Sequence, residues 1–288
     1  MNLASKDISD DFHSSKKIYL NNASVSLMPL QSIDAMKDFL ISYNSMGPDS
    51  KDSESFIAEK LDSVRKIIAK IICCQPDEVV LTQSTTDGIN IVANGLSFDK
   101  KSNIIIRGMT HEHHSNFYPW INLKDKLSVR SLLIDKNGFF ELDNLKSNID
   151  EDTKLVALSH ALYNTGSIIP IEKISKILNN KIPLFIDSAQ TIGCIGDHDV
   201  SKLKCNFMSF NGSKWLCGPM GTGLFYCNRK SGELLEPKTI GGESAITDAE
   251  NNLIFKDLPD KFQTGFRNYV GIVGLESSCL LYTSPSPR

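Results

Sequence analysis

Lys214 sits where an apolar run gives way to glycines, in Phe210-Asn-Gly-Ser-Lys214-Trp-Leu-Cys-Gly-Pro-Met-Gly-Thr-Gly223. Among Trp215, Leu216 and Pro219 its amine is partly desolvated, which lowers its pKa and favours the neutral nucleophile. The lysine precedes the glycines, so the stretch is not a Walker loop. A surface lysine beside a tight turn is the plainer account. Upstream, Phe185-Ile-Asp187-Ser-Ala-Gln190 ends another apolar run in an acid. A buried acid is costly unless it is paired. Asp187 could hold a metal, cap a helix or neutralise a cationic cofactor nitrogen.

Two further clusters follow apolar runs. Thr82-Gln-Ser-Thr-Thr-Asp-Gly-Ile-Asn90 leads hydroxyls and a glycine into a helical pattern. A helix N-terminus with hydroxyl donors can cradle a phosphate, although a simple N-cap uses the same residues. Thr110-His-Glu-His-His-Ser-Asn116 holds three histidines in four positions. If extended, it points His111 and His113 the same way, as metal hydrolases do, and Asp187 would complete such a site. Alternatively one imidazole stacks on an aromatic cofactor and works as acid and base. A hydrated turn is the bland alternative. Without a nearby acidic partner or a CxxC in the chain, we expect no metal.

Taken together, the clusters suit one cofactor. Pyridoxal phosphate needs a lysine amine to bond its aldehyde, an acid for its ring nitrogen and donors for its phosphate.

The elements that must position these residues read as an alternation. Apolar runs at Val79–Leu81, Ile104–Ile106, Leu132–Ile134, Leu155–Leu158, Pro183–Ile186, Phe207–Phe210 and Gly223–Tyr226 are separated by helical or loop segments. Several are apolar on both faces, as in a sheet covered by helices on both sides. The spacing predicts helices over Ser32–Tyr43, Phe56–Ile72 and Ile171–Leu178, with a polar loop at Met46–Ser53. The fold class is α/β, with a mainly parallel sheet sandwiched by helices. The chemistry then belongs at the C-terminal edge of the strands.

Composition sets the outer limits. The 288 residues are 41% hydrophobic and 23% charged, which suits a folded globular chain with a large core. A net charge of −3 gives no basic face for nucleic acid, and no apolar run reaches membrane-span length. Met1–Asp11 lacks an apolar core of the signal-peptide kind, and the N-terminal residues are expected to fray. Seven cysteines, an odd number, argue against a disulfide framework and suit a cytoplasmic protein.

From about Tyr19 to Ser278 the sequence resembles the class V aminotransferases of PLP fold type I, near the cysteine desulfurases and selenocysteine lyases. The matching stretches are YLNNAS, STTDGIN, HEHHSNFYPW, IDSAQ, NGSKWLCGPMGTG and FQTGFRN. The resemblance implies a large domain built on a seven-stranded type of sheet, with pyridoxal phosphate bonded to Lys214. Asp187 would pair with the ring nitrogen, Gln190 would contact the ring hydroxyl and His113 would stack on the ring. Thr85, Thr86 and Ser213 would hold the phosphate, with Asn211 nearby. The implied reaction is desulfuration of L-cysteine by a homodimer, with a sulfur-acceptor protein. Epimerase, transaminase or other lyase chemistry on an amino acid is the alternative, beside the metal-dependent hydrolase.

The sequence also departs from that pattern. Ser213 stands where the desulfurases have His, Tyr163 at the usual ring-contacting Asn, and Phe266 at a Thr that reaches a neighbouring subunit. SHALYNTG and KWLCGPMGTG look more like the isopenicillin-N-epimerase-like branch. By this reading residues 1–30 belong to a small lobe and 31–278 form the cofactor-binding domain. Residues 279–288 resemble a translated sequencing adapter, a foreign tail rather than a helix continuing GLESS. The lobe with the persulfide-forming Cys and the carboxylate-binding Arg is expected to be missing, leaving this chain unable to complete desulfuration.

Overall fold

The computed structural model describes residues 11–12, 18–196 and 198–283. Of the N-terminal dozen expected to fray, residues 1–10 lie outside them, as do the tail residues 284–288, while Phe12 bridges to Pro29. Chain order is α1 (Leu30–Met46), α2 (Lys51–Ile72), β1 (Val79–Thr82), α3 (Thr85–Gly95), β2 (Asn103–Arg107), α4 (Tyr118–Ile121), β3 (Ser128–Leu132), α5 (Leu142–Asn148) and β4 (Thr153–Ser159). It continues with α6 (Ile171–Leu178), β5 (Leu184–Asp187), α7 (Val200–Leu203), β6 (Phe207–Asn211), β7 (Gly223–Cys227), β8 (Ala245–Thr247), β9 (Leu253–Phe255) and α8 (Tyr269–Thr283).

Seven strands form one sheet in the order β1-β7-β6-β5-β4-β2-β3. From β3 to β6 the neighbours are parallel, while β7 is antiparallel to both β1 and β6. β1 therefore points with the parallel set. The C-terminal residues Thr82, Arg107, Ser159, Asp187 and Asn211 come to one edge. Alternation along the strands divides the core in two. Val80, Ile104, Ile106, Leu155, Ala157, Phe185 and Phe207 pack on one side with Ile89 and Val92 of α3. Leu81, Ile105, Val156, Leu158, Ile186 and Met208 pack on the other, against α2 and α6. This is the doubly covered, mainly parallel sheet the sequence predicts.

The helices show why their edges were harder to read. α2 buries Leu61, Val64, Ile68 and Ile72, one stripe at helical spacing. Each such side chain contributes roughly 1.5–3 kcal/mol of apolar burial. The helix starts at Lys51, earlier than expected, because Ser50 and Ser53 form a reciprocal capping box. Its first turn is polar and carries no apolar signal. β3 is displaced from the expected Leu132–Ile134 to Ser128–Leu132. It is an edge strand paired only with β2, so its residues need not be apolar, and Leu133 beyond its end is 76% exposed. The β8–β9 hairpin and the short helices α5 and α7 have no counterpart in the sequence reading.

α8 packs against α1 and α2, with Gly274 set against Met36. The helix expected to stop at Ser278 instead runs on to Thr283, and Cys279 is 1% exposed in the core. Apolar Cys279 continues the buried side of Ile272 and Leu275, which favours another turn.

Candidate functional site

The strand ends enclose a cavity of about 200 Å³. Ser84, Thr85 and Thr86 form one wall, where β1 passes into α3. Ser84 caps α3, its side chain accepting from Asp87 N. Two glycines allow the approach: a Cβ on Gly223 would collide with Ser84 N, and one on Gly88 would lie 2.8 Å from Ser209 Cβ. The opposite wall is the His-bearing turn after β2, while Asp187 and Lys214 lie at the ends of β5 and β6.

Every residue expected at the site lines this cavity except Ser213. Ser213 is buried next to Lys214, and its carbonyl accepts from Ser26 N at 2.8 Å. Its backbone anchors the lysine loop to the N-terminal segment, and its side chain does not line the cavity. Gln190 faces the cavity with its amide already engaged. Nε2 donates to Ala23 O at 2.8 Å and Oε1 accepts from Trp215 Nε1 at 2.8 Å. One Nε2 hydrogen remains for a ligand.

The electrostatics follow from burial. Desolvation pushes the Asp187 carboxyl up, opposed by the Ala189 N–H at 2.9 Å and by Lys214. Desolvation pushes the Lys214 amine down, opposed by Asp187. His113 is lowered by desolvation, then by Lys214 and His114. Its Nδ1 accepts from Ser115 N at 3.2 Å, which places the proton of the neutral ring on Nε2. Around the cavity, two buried atoms lack a hydrogen-bond partner, Thr85 Oγ1 and Asn211 Oδ1. Both belong to cavity-lining residues. An unpaired buried polar atom is expensive, so a polar ligand is the natural partner.

His111 turns away from any shared site. Its φ is +61°, and Nε2 lies 3.1 Å from Lys136 O. Among the described residues no three His, Cys, Asp or Glu side chains gather as a metal-binding group. The three side chains named for the metal-dependent hydrolase do not share a site: His113 and Asp187 line the cavity, and His111 is bonded to Lys136 O instead.

The sequence reading missed Glu112 and Ser159, which also line the cavity, as does Tyr163, read from the sequence at the ring-contacting Asn position. Ser159 ends β4, so the strand-end rule that found Asp187 could have found it. Tyr163 sets its ring at 89° to His113, with centroids 5.2 Å apart. Glu112 lies inside the histidine motif, between His111 and His113. Among the described residues no cysteine lines the cavity. Burial raises Cys74 and Cys279 to about 12 and pushes Cys205 and Cys227 up as well.

A sequence profile of the family described as aminotransferase class-V matches residues 18–284. A probable cysteine desulfurase of Methanothermobacter thermautotrophicus is 33% identical over 264 residues, covering 91% of this chain and 65% of that protein. A probable cysteine desulfurase of Pyrococcus abyssi is 33% identical over 263 residues, with 90% and 65% covered. This chain thus spans 65% of the length of each. The apo cysteine desulfurase of Thermococcus onnurineus NA1 superposes with a TM-score of 0.84 at 28% identity, over 93% of this chain and 68% of that one. The cystine C–S lyase C-DES, at 22% identity, shares the fold with a TM-score of 0.86 over 93% of this chain and 72% of its own.

Proposed function

Since the chain belongs to the aminotransferase class-V family, we propose that its cavity holds pyridoxal phosphate and that the protein acts on the C–S bond of L-cysteine. The observation that carries the cofactor is one juxtaposition. A buried acid and a desolvated lysine share a cavity with two unpartnered polar atoms, beside the N-terminus of α3. The residues present fit the group. The substrate rests on the likeness to proteins named cysteine desulfurase.

Pyridoxal phosphate, when bound, supplies an aldehyde that takes an amine and an electron-poor ring that accepts electrons released at Cα. Lys214 would bond that aldehyde, and its lowered pKa keeps Nζ able to accept and return a proton. Asp187 would face the ring nitrogen, where a cation would repay its desolvation. Thr85 Oγ1, Thr86 and the first turn of α3 would receive the phosphate, with Asn211 beside them. His113 would cover the ring and carry a proton on Nε2 towards the departing sulfur. Gln190 would give its remaining N–H to the ring hydroxyl.

An acceptor thiolate brought to the cavity from elsewhere would bond to the substrate's sulfur as the C–S bond breaks, the bonding pair staying with the substrate carbon, so that alanine and a persulfide result. A homodimer fits the exposed Ile246, Leu253 and Ile254 of the β8–β9 hairpin and the 83% exposed Phe266. A reducing, cytoplasmic setting fits seven cysteines with no disulfide among the described residues. No described helix is long and apolar enough to cross a membrane.

Titration of the purified chain with pyridoxal phosphate tests the reading. One equivalent should bind with a visible band, and L-cysteine should perturb that band. An amino-acid panel separates this substrate from epimerase or transaminase chemistry. Saturating cofactor without any band in the wild type, or a band unchanged in Lys214→Ala, would overturn it.

A further inference from the structure

Behind His113 lies a buried ion pair that the mechanism above does not use. Glu112 and Arg107 are 4% and 1% exposed, with Arg107 Nη1 3.2 Å from Glu112 Oε2. The other carboxylate oxygen, Oε1, accepts from Ser159 Oγ at 2.5 Å and from the backbone N–H of His113 at 2.9 Å. Arg107 Nη2 donates to Gly138 O at 2.7 Å, which holds the guanidinium in place. One carboxyl group thus ties together the ends of β2 and β4 and the backbone of the histidine turn. Isolated buried pairs are weak devices for stability, because desolvation offsets their attraction. A carboxyl that binds a functional residue's backbone acts on geometry instead.

We infer that Glu112 is a positioning residue, whose Oε1 clamps the backbone of His113 and so sets the imidazole against the cavity. This rests on the proposed role of His113, but the clamp can be read without cofactor. Burial raises the Glu112 carboxyl to about 7, against Ser159 and Arg107. Oε1 can accept from His113 N whether the carboxyl is ionised or carries its proton on Oε2. A glutamine amide oxygen should therefore replace it, and alanine should not.

The test removes the charge problem first. Arg107→Met/Glu112→Gln and Arg107→Met/Glu112→Ala both lack the buried ions, so neither strands an unpaired charge. In the cofactor-free wild type the His113 amide should be protected from hydrogen exchange. Protection should persist in the glutamine variant and vanish in the alanine variant. The His113 imidazole, followed by NMR, should titrate in the glutamine variant as in the wild type. In the alanine variant it should move up towards the ordinary histidine value. Pyridoxal phosphate should bind the alanine variant about tenfold more weakly than the glutamine variant, one hydrogen bond's worth of positioning. Equal behaviour of the two variants in all three readouts would mean that Glu112 is only structural. If neither variant folds, the wild type still decides, because an unprotected His113 amide would overturn the clamp. Failure of the wild type to bind pyridoxal phosphate would instead overturn the proposed function and leave the exchange result standing.

Discussion

Asp187→Asn should act in opposite directions on the cofactor-free and the cofactor-bound protein. Asp187 is 6% exposed, takes one backbone N–H from Ala189, and has Lys214 as the cation acting on it. Its carboxyl is pushed up by burial, so the ionised form is a cost to the free protein. The sign follows from linkage. With the folded pKa above the unfolded one, the folded state binds more protons between the two values, and stability falls as pH rises through that window. Asparagine removes the charge and can keep the Ala189 bond through its amide oxygen. The cofactor-free variant should therefore melt higher than the wild type at neutral pH, with the gain vanishing below about pH 4, where both Asp forms are protonated. Each ~1 kcal/mol gained appears as ~2–4 °C in a chain of this size. Cofactor affinity should move the other way. Losing one partner of a buried charge pair costs ~3–5 kcal/mol, or roughly 10²–10⁴-fold in affinity. Thermal melts against pH and a spectral titration read both effects. A variant that melts lower without cofactor and binds pyridoxal phosphate as tightly as the wild type would refute the reasoning, and would give Asp187 a purely structural place.

Other consequences are simpler to check. Gly88→Ala would push a methyl into Ser209 and Phe225 and should destabilise the fold by ~1–3 kcal/mol in chemical denaturation. Ser50→Ala should cost ~1 kcal/mol by opening the capping box of α2, without altering cofactor binding. Because His113 is held below the usual histidine range, it contributes stability that is present above about pH 6.5 and is lost as pH falls through its folded value. Melts of His113→Gln against pH should show the wild type's extra loss in acid disappear. A thiol reagent should label Cys73 and Cys194 in the native chain well before the buried Cys205, Cys227 and Cys279.

What could be read from the sequence was whatever the physics writes locally. β2, β4, β5 and β6 are buried on both faces, so their apolar runs stand out. The residues at and beyond the ends of β1, β2, β5 and β6 form the cavity wall, which makes Thr85, His113, Asp187 and Lys214 visible. The edge strand β3 lacks that signal, because one side of it has no strand to pair with. The sequence beyond Ser278 resembles a foreign tail and predicts no helix there, yet α8 continues and Cys279 packs into the core. The contacts that orient the site are non-local. Glu112 meets Ser159 47 residues away, and Gln190 meets Ala23 167 residues away. No spacing rule in the sequence pairs those residues, so the engaged Gln190 amide and the Glu112 clamp became visible only in three dimensions.

The central claim is that Lys214 bonds pyridoxal phosphate inside this cavity. Borohydride reduction of the cofactor-loaded chain, followed by peptide mapping, tests it most directly. A single modified peptide containing Ser213–Trp215 is expected, with the label on Lys214. A label on another lysine, or none in a cofactor-saturated sample, would contradict it.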